Sequence, residues 1–425
     1  MKPNSKAIRI IGLLLALSFL FAACSAGAGS GASAPTTAPT TASTTASTTA
    51  STTASTTAST TASTTASTTV STTASTTAST TYKIGLLDSM TGDSAVWGQS
   101  DQKGAEVAID EINKAGGVNG VPLELVTEDN RMAAADSVTG FKKLAEVDKV
   151  PVVIGISGST IAFSTCPLTA SYKIVGITTN ATNPNLGSKC PPYFYRLMPD
   201  DNAQGPEMVK VLQYFKQTQA PMLYINNDYG IGVRDAILAA MKADGYTVPL
   251  VQPFDWNGTD FRTEILKVKD LNPQATFLIG YVQEIGLILK QSKELGLNTQ
   301  WIGEVDAVTH EVPDIAGAAA EGMVALYPGS RTTDLYTKYS AAFQAKFGTP
   351  PTVWSEFAYD AVKLAAMAMQ KGGYSGDGIQ ANLRDVAASY TGPSGPKAFQ
   401  PNNNVVTSFY EWDIVKNGQW VIFNH

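Results

Sequence analysis

Small hydroxyl, amide and aromatic residues gather at a few points in this sequence, each directly after a short apolar run. Asp88-Ser89-Met90-Thr91-Gly92 and then Trp97-Gly98 follow the first run, Ser157-Gly158-Ser159-Thr160 the third and Thr179-Asn180-Ala181-Thr182 the fourth. Farther on come Asn227-Asp228-Tyr229-Gly230, Gly280-Tyr281 and Gly303-Glu304-Val305-Asp306. Ser157-Gly158-Ser159 falls at a strand-to-helix turn, where an α/β hydrolase carries its nucleophile, but the elbow pattern of those enzymes is not met. A general base is hard to find, since the two His are His310, after the acidic loop, and His425 at the chain end. Two His and one spare pair of Cys offer no metal-ligand spacing. The residue types suit gripping a small polar molecule rather than transforming it, with no metal and no cofactor expected.

The apolar runs define the elements that must carry these loops. Lys83 to Leu87 reads as a strand, and Ala105, Ala108, Ile109 and Ile112 then recur at helical spacing until Gly116-Gly117 stops the helix. Asn119-Gly120 turns the chain into a strand over Val121 to Val126. Further strands are expected at Val150 to Ile156, Lys173 to Thr178, Pro221 to Asn226, Ala275 to Tyr281, Gln300 to Glu304 and Met323 to Tyr327. Amphipathic helices such as Ile231 to Ala243 and Glu284 to Leu295 separate most of them. Continuous apolar strands alternating with helices indicate an α/β fold of parallel sheets covered on both faces. More strands than one small sheet holds point to two doubly wound lobes. In such sheets the ligand crevice lies beyond the carboxyl ends of the strands, where the polar loops fall.

Composition divides the 425 residues further. No Asp, Glu, Lys or Arg occurs between Arg9 and Lys83, and from Tyr82 onward 27 basic residues (30 less Lys2, Lys6 and Arg9) face 36 acidic ones. A net charge of −9 over that part repels polyphosphate, so nucleic acid is excluded as a partner. Lys2, Lys6 and Arg9 precede a 13-residue apolar run, Ile10 to Ala22, too short to span a bilayer. The start reads as an export signal over residues 1–24. Residues 25–81 are a low-complexity Ala/Ser/Thr tether of 57 residues, expected to be disordered and open to O-linked sugars. As a flexible coil it has a mean span of roughly 40 Å.

Two resemblances join these pieces. Ala22-Ala23-Cys24-Ser25 resembles a bacterial lipobox, which implies that Cys24 is acylated and anchors the exported chain to the membrane without spanning it. The stretch from Lys83 to about Trp420 resembles the solute-binding proteins of branched-chain amino acid ABC transporters, the periplasmic binding protein type I fold. The resemblance rests on the order of Gly104-Ala105-Glu106, Asp110-Glu111-Ile112-Asn113, Gly116-Gly117-Val118-Asn119-Gly120, Ile154-Gly155 leading to Ser159, Asp228-Tyr229-Gly230, and Ala316-Gly317 leading to Ala320-Glu321-Gly322.

That resemblance implies a lipid-anchored, extracytoplasmic monomer, not an enzyme, which captures a leucine-, isoleucine- or valine-like amino acid by hinge closure and delivers it to an ABC permease. It implies that Ser159 and Thr182 hold the ligand carboxylate, at a helix start suited to an anion, with the backbone of Asn180 helping to hold the ammonium. Counting back from Ile315-Ala316-Gly317 puts Val305 at the acidic position, so the ammonium partner is one of its neighbours, Asp306 favoured over Glu304. Trp97, Tyr229 and Tyr281 would pack on the ligand side chain, with Trp354 and Phe357 as rim candidates. Trp97 stands where Tyr is common, which keeps amide, urea-like and aromatic-acid solutes open. An α/β hydrolase-like enzyme and a stalked adhesin are the remote rivals. With Cys24 lipidated, Cys166 and Cys190 form an even pair, and a disulfide between them closes a loop of ~25 residues worth about 3 kcal/mol. The lobes are expected over 82–199 with 328–404, and over 200–327 with 405–425, joined by a hinge of several strands.

Overall fold

The computed structural model describes residues 81–190, 192–406 and 409–424. Cys24, His425, the export signal and all but the last residue of the tether lie outside the described residues. Strand β1 (Tyr82–Asp88) pairs in parallel with β2 (Leu123–Asp129) and β3 (Val152–Gly155), Leu86 standing opposite Thr127 and Ile154. With β4 (Val175–Thr178) and β5 (Phe194–Arg196) they form a five-stranded sheet in the order β2-β1-β3-β4-β5. Both β3 and β4 are buried throughout, as a parallel strand with helices on each face must be. Four helices lie between these strands: α1 (Ala95–Lys114), α2 (Ala134–Lys143), α3 (Ser159–Tyr172) and the short α4 (Leu186–Lys189).

The chain then builds a second sheet. Helix α5 (Asp201–Tyr214) leads to β6 (Met222–Ile225), α6 (Asp228–Ala243), β7 (Val251–Phe254), α7 (Arg262–Lys269), β8 (Ala275–Ile279), α8 (Val282–Glu294), β9 (Gln300–Gly303), α9 (Glu311–Ala316) and β10 (Val324–Pro328). Next α10 (Asp334–Phe347) and α11 (Ser355–Gly372) return to pack on α1, and α12 (Gly376–Ala388) packs on α11 and β4. After the hairpin of β11 (Thr391–Gly392) and β12 (Gly395–Pro396), the chain comes back as β13 (Tyr410–Lys416) and β14 (Gln419–Ile422). This sheet has seven strands in the order β14-β13-β10-β9-β8-β6-β7. The molecule is thus α/β with two lobes, and its chain passes between them after β5, after β10 and before β13. The second sheet is not wholly parallel, because β13 runs antiparallel to both β10 and β14. No helix among the described residues is long and apolar enough to cross a membrane.

Several sequence motifs have a plain mechanical reason here. On α1 the buried residues Trp97, Asp101, Gly104, Ala105, Ala108 and Ile109 recur every three or four positions and form one face. Gly104 lets that face meet α11: a Cβ there would stand 1.8 Å from the Ser355 carbonyl oxygen. The turn after α1 needs Gly116, Gly117 and Gly120, all at positive φ. Gly104→Ala is expected to destabilise the fold by about 1–3 kcal/mol through overpacking against backbone, read as a lower midpoint in denaturant unfolding. Cys166 in α3 and Cys190 just after α4 are joined as a disulfide, with Cα atoms 5.4 Å apart and a separation of 24 in sequence.

Candidate functional site

The carboxyl ends of β1, β3 and β4 face those of β6, β8 and β9 across a cleft, and the polar loops meet there. After β3, Gly155 (φ 85°), Ile156 (φ 52°) and Gly158 (φ 86°) bend the chain so that α3 starts at Ser159 with its amino end toward the cleft. The Ser159 hydroxyl is fully buried and accepts the Asn183 N–H (3.2 Å). Gly158 N–H donates to Asn180 Oδ1 (2.9 Å), tying this turn to the loop after β4. Thr182 is buried, with its hydroxyl beside the Asp201 carboxyl. Below these loops two buried carboxyls act as pins: Ser157 donates to Asp88 Oδ2 (2.6 Å) and Thr179 donates to Asp101 Oδ2 (2.5 Å). Burial raises both acids above the usual carboxylate range; Asp88 raises Asp101 further, whereas Ser157, the Ser89 N–H and Asp101 pull Asp88 the other way.

The opposite wall is acidic and aromatic. Tyr229 and Tyr281 stack with ring centroids 5.5 Å apart, and Trp97 meets the Tyr281 ring edge-on at 5.0 Å. The Tyr229 hydroxyl donates to Glu304 Oε2, which also accepts the Asp306 N–H (2.6 Å), while Glu304 Oε1 accepts the Gly280 N–H (3.4 Å). Glu304 and Asp306 are both buried, and no Lys or Arg lies within 4.0 Å of either among the described residues. Burial first, and mutual repulsion in the case of Asp306, push both well above the ordinary carboxylate range. Nearby Asp201 is raised to about 7, again by burial, with Thr182 and Arg196 pulling the other way.

A small space of about 200 Å³, its open mouth included, remains between the walls, lined by Trp97, Met132, Gly158, Asn180, Tyr229, Tyr281 and Asp306. The two lobes touch around it: Thr160 donates to Asp228 Oδ2 (2.9 Å), and Asn183 Nδ2 donates to the Asp228 carbonyl (2.6 Å). Of the residues expected from the sequence, Trp97, Asn180, Tyr229, Tyr281 and Asp306 line the cavity. Ser159, Thr182 and Glu304 stand one layer behind it. Trp354 sits behind Trp97 with centroids 6.1 Å apart, whereas Phe357 lies away from the cleft, in a cavity at the hinge. Trp97 and Tyr229 belong to the first turns of α1 and α6 rather than to loops, and Asn227 caps α6 by accepting the Gly230 N–H (3.0 Å). Met132 was not anticipated, and Gly158 only as part of the loop after β3. Met132, just beyond β2, carries no polar group and stands at positive φ (56°).

Comparison with known proteins adds an independent line. The family described as periplasmic binding protein matches residues 81–419. The chain is 32% identical over 339 residues to the leucine-, isoleucine-, valine-, threonine- and alanine-binding protein of Pseudomonas aeruginosa, which covers 78% of this chain and 89% of that protein. Among solved structures, the branched-chain amino acid transporter substrate binding protein LivJ from Streptococcus pneumoniae, in complex with isoleucine, gives a TM-score of 0.74 at 26% identity, covering 81% of this chain and 100% of that one. A solute binding protein of an ABC transporter from R. palustris, in complex with benzoate, shares the fold, with a TM-score of 0.73 at 19% identity over 81% of this chain and 95% of that one.

Proposed function

Because this chain belongs to the periplasmic binding protein family, whose members bind solutes and are not enzymes, we propose that its cleft captures a small aliphatic α-amino acid. The observation that carries this reading is the buried Glu304 and Asp306 pair, with no basic residue against it among the described residues, facing the amino end of α3. A zwitterion complements both: its ammonium meets Asp306, and its carboxylate meets the α3 end near Ser159 and Thr182, where buried donors count most. An aromatic acid satisfies only the second wall and leaves Asp306 facing its ring. The packed rings of Trp97, Tyr229 and Tyr281, with Trp354 behind Trp97, favour a small aliphatic side chain.

Function then follows from the hinge. Ligand docks on the lobe of β1 to β5, here taken as 82–199 with 328–404. The lobe of 200–327 with 405–425 closes Tyr229, Tyr281 and Asp306 over it, so the closed form is favoured when the cleft is filled. The chain works outside the cytoplasm, held to the membrane through Cys24, and presents the closed form to its permease. Thermal unfolding of the full chain against a solute panel tests the ligand class. Leucine, isoleucine, valine, threonine or alanine at 1,000 times Kd should stabilise by about 4 kcal/mol, and benzoate or acetamide should leave the midpoint unchanged. Stabilisation by benzoate or acetamide alone would overturn the reading.

A further inference from the structure

A second cavity, separate from the cleft, lies where the chain passes between the lobes. All three passages line it: Leu197 and Pro199 follow β5, Gly329 and Ser330 follow β10, and Phe409 precedes β13. It encloses about 770 Å³ including its open mouth, and its walls are mostly carbon. Two large apolar side chains at the rim, Leu335 and Phe409, are 40% and 53% exposed, which a soluble surface tolerates best where something covers them.

The one basic residue in this lining is Lys397, only 2% exposed. Its ammonium donates to the Ser394 carbonyl (2.8 Å) and the Leu197 carbonyl (3.4 Å) and stands 4.5 Å from the centre of the Phe357 ring. Those three neighbours also line the cavity, so the charge lies in its floor. Three donors against two carbonyls leave one N–H for a further acceptor. No carboxylate lies within 4.0 Å of Lys397 among the described residues. Asp360, the nearest acid in its field, is engaged by the Ser394 N–H (3.1 Å) and the Tyr390 hydroxyl (2.6 Å). Burial pulls the Lys397 ammonium down to about 8, partly opposed by Asp360 and Glu356, and an anion beside it would hold its charge more firmly.

We propose that the hinge cavity is a second binding site, for a small amphipathic monocarboxylate whose head meets Lys397 and whose hydrocarbon body lies against Leu197, Leu335, Phe357 and Phe409. A zwitterion is excluded by its ammonium, which would face a like charge. A neutral hydrocarbon leaves the spare N–H without an acceptor, and a dicarboxylate puts its second charge on carbon. A ligand seated there touches every passage that bends when the lobes move, so its site is distinct from the cleft yet mechanically joined to it.

Octanoate is a suitable probe, titrated by calorimetry into the full chain. Saturable binding near one per chain is expected, unchanged in the cleft variant Tyr229→Ala, at least tenfold weaker in Lys397→Met, and at least tenfold weaker for 1-octanol. Should Lys397→Met fail to fold, the exposed-rim variant Leu335→Glu, which sets a like charge at the mouth, should weaken octanoate at least fivefold. The proposal is overturned by absent or non-saturable binding, by loss of binding in Tyr229→Ala, by equal affinity for 1-octanol, or by unchanged binding in the Lys397 variant or, where that is unfolded, the Leu335 variant.

Discussion

Asp306→Asn should weaken amino acid binding by roughly 30-fold or more, about 2–5 kcal/mol, because it removes the charged partner of a buried ammonium. Asn has almost the same shape, and burial already holds Asp306 toward its neutral form in the empty cleft, so the fold should keep its stability. Glu304→Gln makes the sharper comparison. That carboxyl is occupied by the Tyr229 hydroxyl and two backbone N–H groups, and it stands behind the cavity lining. Its loss should therefore cost less ligand affinity than the Asp306 change, and more stability, since Gln cannot accept all three bonds as well. Calorimetric titration with leucine ranks the two; an equal or reversed order in affinity would mean that Asp306 is not the ammonium partner.

The second large effect is proton release. Burial raises both acids, so the empty folded protein keeps protons that the unfolded chain has shed. Its stability should fall as pH rises from the ordinary carboxylate range through those raised values, because the unfolded state then binds fewer protons. An ammonium in the cleft reverses the preference and favours the carboxylate. Ligand capture at neutral pH should then expel about one proton, and affinity should climb about tenfold per pH unit until the acids ionise unaided. Calorimetry at pH 7 in buffers of different ionisation enthalpy measures this directly. A binding heat that ignores the buffer would show that no acid in the cleft changes its charge.

Much of the lobe architecture was legible in the residues, for physical reasons that differ from motif to motif. Gly104 and Gly116-Gly117 mark a backbone contact and a left-handed turn that no other residue type suits. The buried parallel strands announced themselves as unbroken apolar runs. Strand β7 did not, because it contains Pro253 and Gln252, which an edge strand tolerates. The antiparallel β13 was hidden by alternation, Tyr410-Glu411-Trp412-Asp413, with the half-buried Arg331 paired to Glu411 and Asp413.

The acidic position shows why a site is harder to read than a fold. Placing Val305 there from sequence left Glu304 and Asp306 as alternatives. A tight turn over Val305–Ala307 directs the Val305 N–H to Gln204 (3.3 Å) and sends both acids inward, one to the cavity and one to Tyr229. Only the turn's geometry separates their positions. Met132 is likewise a matter of backbone, since its side chain carries no signal of a polar site.

The central claim is that two lobes shut over an amino acid. It is tested most directly by single-molecule fluorescence transfer between dyes at Lys103→Cys and His310→Cys, which line one groove from opposite lobes. Saturating leucine should shift the molecules from a longer to a shorter distance and narrow the distribution. An unchanged distribution in a sample that calorimetry shows to be saturated would contradict the account.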